Sequence, residues 1–259
     1  MRMMKKVLGT VTVLALSVSL LAGCGSTAVS PVSSTASTAA ESTTSSVVSE
    51  TTSAAADENA AAAAQLLNDL TGSYQELWPV ILADEYQQTW LDDCTALVGE
   101  ENAEAAFEKL SSMVTGDVYG EDAVKAYANG GGAYFCGFTN SLATLTFDGE
   151  TSTISGTDKD GNVLFSHTYH YIGMEPVHGL YEFESDDADS GEFTYFFLAP
   201  DTSAETYHIE FRYGSDADAL SQYDAGDYAY WLASGISTDC DQTMIDNCIE
   251  LFCTENLAG

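Results

Sequence analysis

The chain has 259 residues, with 40 Asp and Glu against 7 Lys and Arg, for a formal net charge of −33. That balance argues against nucleic acid, whose phosphates need clustered basic residues, and against docking on an anionic membrane through a basic face. It favours cations near the surface without defining a site for one.

The first segment reads as an export signal. Arg2, Lys5 and Lys6 form a basic start, Val7 to Leu21 is a short apolar run, and Leu21-Ala22-Gly23-Cys24 follows with small residues before a cysteine. The run is short for a membrane span and ends in a cleavage signature. Its last four residues resemble the bacterial lipobox. The resemblance implies a signal peptide over 1–23, lipidation of Cys24 and an extracytoplasmic chain anchored to the cell membrane through acyl groups. Residues 24–57 are rich in Ser, Thr and Ala and lack aromatics, which predicts a disordered tether. Residues 58–259 are then one domain of about 200 residues, long enough for a sizeable core.

Glu58 to Leu70 predicts a helix, broken at Gly72. Tyr74, Leu77, Trp78 and Ile81 recur at helical spacing, and Pro79 places a first turn or a kink there. Glu85 to Val98, Asn102 to Met113 and Asp122 to Ala128 predict further helices. From Gly131 to Gly214 strand formers dominate. Asp148-Gly149 and Asp160-Gly161 mark hairpins, because these residues tolerate the positive φ of tight turns. Repeated hairpins suit a small antiparallel barrel, whose closure removes exposed edges.

Glu205 to Gly214 alternates in the manner of a strand. Tyr207, Ile209, Phe211 and Tyr213 take a packing face; Thr206, His208, Glu210 and Arg212 take the other. His208 with Glu210 two residues on can hold a metal. His167 and His170 would point to opposite faces of a strand, so at most one of them serves. Near the C-terminus Thr238 is placed to cap a helix, and Ile245, Cys248, Ile249 and Phe252 form a packing stripe. The cysteines are Cys24, Cys94, Cys136, Cys240, Cys248 and Cys253. No CxxC spacing occurs among them, and spacing alone does not pair them.

The segment Asp69-Leu70-Thr71-Gly72-Ser73-Tyr74-Gln75-Glu76-Leu77-Trp78-Pro79 resembles the opening of the ZinT (YodA) domain, which also occurs at the C-terminus of Gram-positive zinc-uptake lipoproteins. Thr168 to Gly173, Leu180 to Glu184, Gly191 to Tyr195, Glu205 to Asp216 and Tyr228 to Trp231 are similar to later segments of that family, in order. The resemblance implies an α+β fold: a small lipocalin-like (calycin) antiparallel barrel with N- and C-terminal flanking helices. It also implies zinc held by three histidines, two of them as His-x-His on one strand. Here His208 stands at the second of that pair, Thr206 at the first, and Asp201 near the upstream position. The candidate ligands are therefore Asp201, His208 and Glu210, with His170 as a further histidine, for zinc or a similar divalent ion.

The leading expectation is a lipid-anchored metal-binding lipoprotein that captures zinc or delivers it to uptake, with a metal-uptake transporter or its binding protein as partner. The alternative is a barrel that has lost its metal and binds a small molecule or protein. No nucleophile elbow, phosphate loop or HExxH is present, so a non-enzyme is expected.

Overall fold

A computed structural model describes residues 58–201 and 203–258. The expected signal peptide, Cys24 and tether lie outside the described residues.

Helix α1 occupies residues 58–69. Strand β1 (Gly72–Glu76) follows directly, and then a one-turn helix α2 (Trp78–Ile81) with Pro79 in its first turn. Helices α3 (Gln87–Val98), α4 (Ala103–Val114) and α5 (Glu121–Ala128) come next. The remaining strands are β2 (Thr144–Asp148), β3 (Thr153–Thr157), β4 (Val163–Met174), β5 (Tyr181–Ser185), β6 (Tyr195–Leu198), β7 (Ile209–Gly214) and β8 (Ala233–Ser237). Short helices α6 (Ser203–Thr206) and α7 (Ala217–Leu220) flank β7, and α8 (Gln242–Leu257) ends the fold. The strands form a closed antiparallel barrel in sequence order, shut by β1 against β8. The expected lipocalin-like barrel with flanking helices is what the chain adopts.

Two cores follow from strand alternation. Inward residues Phe147, Phe165, Tyr169, Phe183, Phe196, Phe211 and Tyr213 are all buried. Their rings stack or meet edge to face, as with Phe196 and Tyr213 at 5.4 Å and Phe165 and Phe193 at 3.9 Å. Those rings make the barrel interior a continuous apolar core. The second core lies outside the wall, where Ile236 of β8 meets α2, α3, α4 and α8 through Trp78, Trp90, Leu110, Ile245 and Ile249. Trp90 lies between Phe107 and Phe252 and donates its indole N–H to the Ile81 carbonyl at 2.7 Å.

Several expectations need correcting. Tyr74 belongs to a strand and the barrel core, whereas Leu77, Trp78 and Ile81 belong to the outer core; their helical spacing spans two elements. The segment from Glu205 to His208 is not strand. Residues Ser203–Thr206 are helical, and Tyr207 takes φ +67° before β7 begins at Ile209. Helix α8 is capped by Asp241, which accepts from the Met244 N–H at 2.9 Å; the Thr238 hydroxyl instead donates to the Ser73 carbonyl. In the Asp148-Gly149 hairpin the positive φ falls on Ser152, at +53°. Gly149 is needed for another reason: a Cβ there would lie 2.4 Å from the Asn68 Cα of α1.

Strand β7 carries Arg212, which has no exposed surface. Its fork donates to the carbonyls of Leu220, Gln222 and Tyr228, so it pins the β7–β8 connection to the barrel wall. Tyr223 covers the guanidinium at 4.2 Å from its ring centre, and His178 packs on Tyr223 at 3.7 Å. The fully buried Glu175 lies in electrostatic range and accepts from the backbone N–H groups of Val177 and His178.

Candidate metal centre

His208 stands at the entrance to β7, on the outer side of the barrel wall. The Thr206–Tyr207–His208 turn fixes it twice. The Thr206 hydroxyl donates to the His208 carbonyl at 2.7 Å, and His208 Nδ1 lies 2.7 Å from the Thr206 carbonyl oxygen. A carbonyl only accepts, so Nδ1 carries the proton and Nε2 is aimed at what lies opposite. Thr206 thus orients the histidine.

Opposite Nε2 lies the Glu210 carboxylate, at 3.8 Å, with side-chain exposures of 18% for His208 and 31% for Glu210. The Cys248 thiol of α8 also lies close enough to influence His208. Burial opposes a charged imidazole here, but the contacts with Cys248 and Glu210 outweigh it and hold the His208 pKa well above its ordinary value. Asp201 and Glu255 complete the ring of acids. Desolvation raises the pKa of both carboxyls; His208 pulls each down and Glu210 pushes each up. Cys136 borders the same seam through Ser234, the residue paired with Glu210 across β7 and β8. Burial pushes its thiol far above the ordinary range.

The structure therefore brings Asp201, His208 and Glu210 to one seam. That seam lies between the barrel wall and α8. His170 is not brought there. It sits on β4 with Nδ1 2.7 Å from Asp186 and Nε2 4.0 Å from Glu184. Strands β5 and β6 separate it from β7, roughly 14 Å along the wall at the usual strand spacing, too far to share an ion. His167 pairs separately with Asp187 at 2.7 Å, so the acidic turn Ser185–Gly191 serves two histidines on opposite faces of β4.

Sequence reasoning missed Cys248 and Glu255. Both come from α8, about 40 residues beyond His208, and the packing stripe that contains Cys248 was the available signal. Nitrogen, sulfur and oxygen donors of this kind suit a borderline-soft divalent ion such as zinc. Among the described residues, no three His, Cys, Asp or Glu side chains are drawn close enough to hold an ion as they stand.

Fold and seam together define an antiparallel lipocalin-like barrel, flanked by helices, with an acidic histidine–cysteine cluster on its outer wall. Among solved structures, the chain is similar to the Zn(II)-bound ZinT-like domain of Streptococcus pneumoniae AdcA, with 15% identity over 71% of this chain and 89% of that one and a TM-score of 0.45. It is also similar to Zn(II)-bound AdcA from the same organism, with 18% identity over 70% of this chain and a TM-score of 0.41; there it spans only 34% of the other chain. No family model and no curated protein matches the chain.

Proposed function

We propose that the chain is an exported lipoprotein, held to the cell membrane through Cys24, that captures zinc or a similar divalent ion for delivery to an uptake system. On this reading it is a binding protein rather than an enzyme, with a metal-uptake transporter or its binding protein as partner. The observation that carries the reading is the orientation of His208. Its Nδ1–H is tied to the Thr206 carbonyl, which leaves Nε2 facing Glu210 and Cys248, with Asp201 and Glu255 behind them. Anchoring the far nitrogen of a histidine to a carbonyl is the arrangement that orients imidazole ligands.

His208, Glu210 and Cys248 are the ligands we assign, with Asp201 or Glu255 completing the set. Zinc would take the place of the Nε2 proton and supply positive charge to an acidic cluster that has His208 as its basic member. Glu210 and Glu255 are the members that must swing inward to close on the ion.

The test is calorimetric titration of the metal-free protein with zinc, alongside His208→Ala and Cys248→Ala. One saturable site is expected, lost in the first variant and weakened at least about tenfold in the second, the loss of roughly 1.4 kcal/mol of ligand contribution. Equal affinity in His208→Ala removes the assignment. No saturable binding in the native chain favours the alternative, a barrel without a metal that binds a small molecule or a protein partner.

A further inference from the structure

Five cysteines lie among the described residues, all as free thiols. Three have other surroundings. Cys248 meets His208, Cys136 lies beside Ser234 and Trp78, and Cys240 is half-buried. The remaining two face each other. The Sγ atoms of Cys94, on α3, and Cys253, on α8, are 3.9 Å apart, and neither residue has any exposed surface.

We propose that Cys94 and Cys253 form a disulfide under oxidising conditions, fastening α3 to α8. The sulfurs must close from 3.9 Å to about 2.05 Å, so each side chain gives about an ångström. The surroundings suit no other thiol chemistry. The pair lies in the apolar outer core with Trp90, Leu110 and Ile249, a water-free setting that disfavours thiolate and so both metal binding and nucleophilic attack. Closure therefore belongs to folding, before α8 seals the core. The co-reactant is a disulfide, that of a dithiol oxidoreductase or of oxidised glutathione. One thiolate attacks it to give a mixed disulfide, and the second thiol displaces the carrier. The carrier leaves reduced, with the electron pair and both protons, and one sulfur–sulfur bond joins the chain. The linkage closes a loop of roughly 160 residues, long enough for a large effect on stability. It also ties down the helix that brings Cys248 and Glu255 to the seam.

The inference rests on the proposed export only for the source of oxidant in the cell, and the experiment supplies its own. The full chain is reduced, unfolded, and refolded with a glutathione redox buffer and a chelator; remaining thiols are then alkylated and the protein is cleaved after glutamate. Cleavage places Cys94 alone in Tyr86–Glu100 and Cys253 alone in Leu251–Glu255. Mass spectrometry should find these two peptides joined, lighter by two hydrogens than their sum, and separated by reductant. The oxidised protein should melt about 10 °C above the reduced one. Alkylation of both cysteines in the refolded wild type, or linkage of either to another cysteine, overturns the proposal. A link that forms in the refolded chain but is absent from protein isolated from its cells counts against export and leaves the pairing intact.

Discussion

Replacement of Arg212 by methionine tests how the wall of the barrel is held. Methionine keeps the apolar stem of the side chain and removes the fork. The carbonyls of Leu220, Gln222 and Tyr228 then lose their donor, and Glu175 loses a positive charge within electrostatic range. A buried acceptor left unpaired costs about 1–3 kcal/mol, and three carbonyls share the loss of this one donor. Against this stands the relief of no longer burying a guanidinium, which itself lowers the Arg212 pKa. A net loss of about 4 kcal/mol is expected. In urea unfolding, at a slope of about 2 kcal/mol/M, the midpoint falls by about 2 M. Arg212→Lys keeps the charge without the fork and should fall between the two. Adding Glu175→Gln to Arg212→Met should cost less than the sum of the single changes, because the carboxylate has already lost its counter-charge. An Arg212→Met protein within about 1 kcal/mol of wild type refutes the clamp, and strict additivity refutes the coupling to Glu175.

Two further outcomes follow from the packing and the phenols. In Gly149→Ala the new methyl meets backbone atoms of Asn68 and Leu67 at 2.4 to 2.5 Å. The β2–β3 hairpin must lift from α1, at about 1–3 kcal/mol, and hydrogen exchange should quicken over residues 58–69. At high pH four buried or half-buried tyrosines act together. Burial, followed by the neighbouring Tyr134 and Tyr230, pushes Tyr127 up to about 12, and burial raises Tyr169, Tyr213 and Tyr223 as well. The folded pKa values lie above the unfolded value near 10, so this contribution is complete below about pH 10 and is lost as pH climbs past it. Tyrosinate absorbance should rise together with loss of the barrel's circular dichroism; smooth titration near pH 10 in a folded chain would contradict the burial.

Alternation made Ile209, Phe211 and Tyr213 legible as one inward face, and turn chemistry found the hairpins around Asp148 and Asp160. The C-terminal stripe identified α8, whose Ile245, Cys248 and Ile249 are all buried. Two strands were not legible. Strand β1 carries Tyr74 at a helical offset from Leu77 and Ile81, and only tertiary structure reveals that these residues face different cores. Strand β8, Ala-Ser-Gly-Ile-Ser, has little intrinsic strand preference and is held in place by β1 and β7 on either side. The candidate site was half legible. His208 and Glu210 share a local period, whereas Cys248 and Glu255 reach them through the docking of a helix, for which no local spacing exists. His170 looked equivalent to His208 because a sequence does not say how many strands intervene.

Barrel closure by β1 and β8 has a kinetic side. Gln75 pairs with Ile236, some 160 residues later, so the first strand has a partner on only one flank until nearly the whole domain has been made. Contacts of such long range slow folding. The helices α3 and α4 can form locally and early, but the outer core they build needs Ile236 and α8 to complete it. A chain cut short before Ala233 would retain its hairpins and lose both the seam around His208 and the seal on its barrel. Zinc capture, on the reading proposed here, is therefore a property the molecule acquires in the last step of its folding.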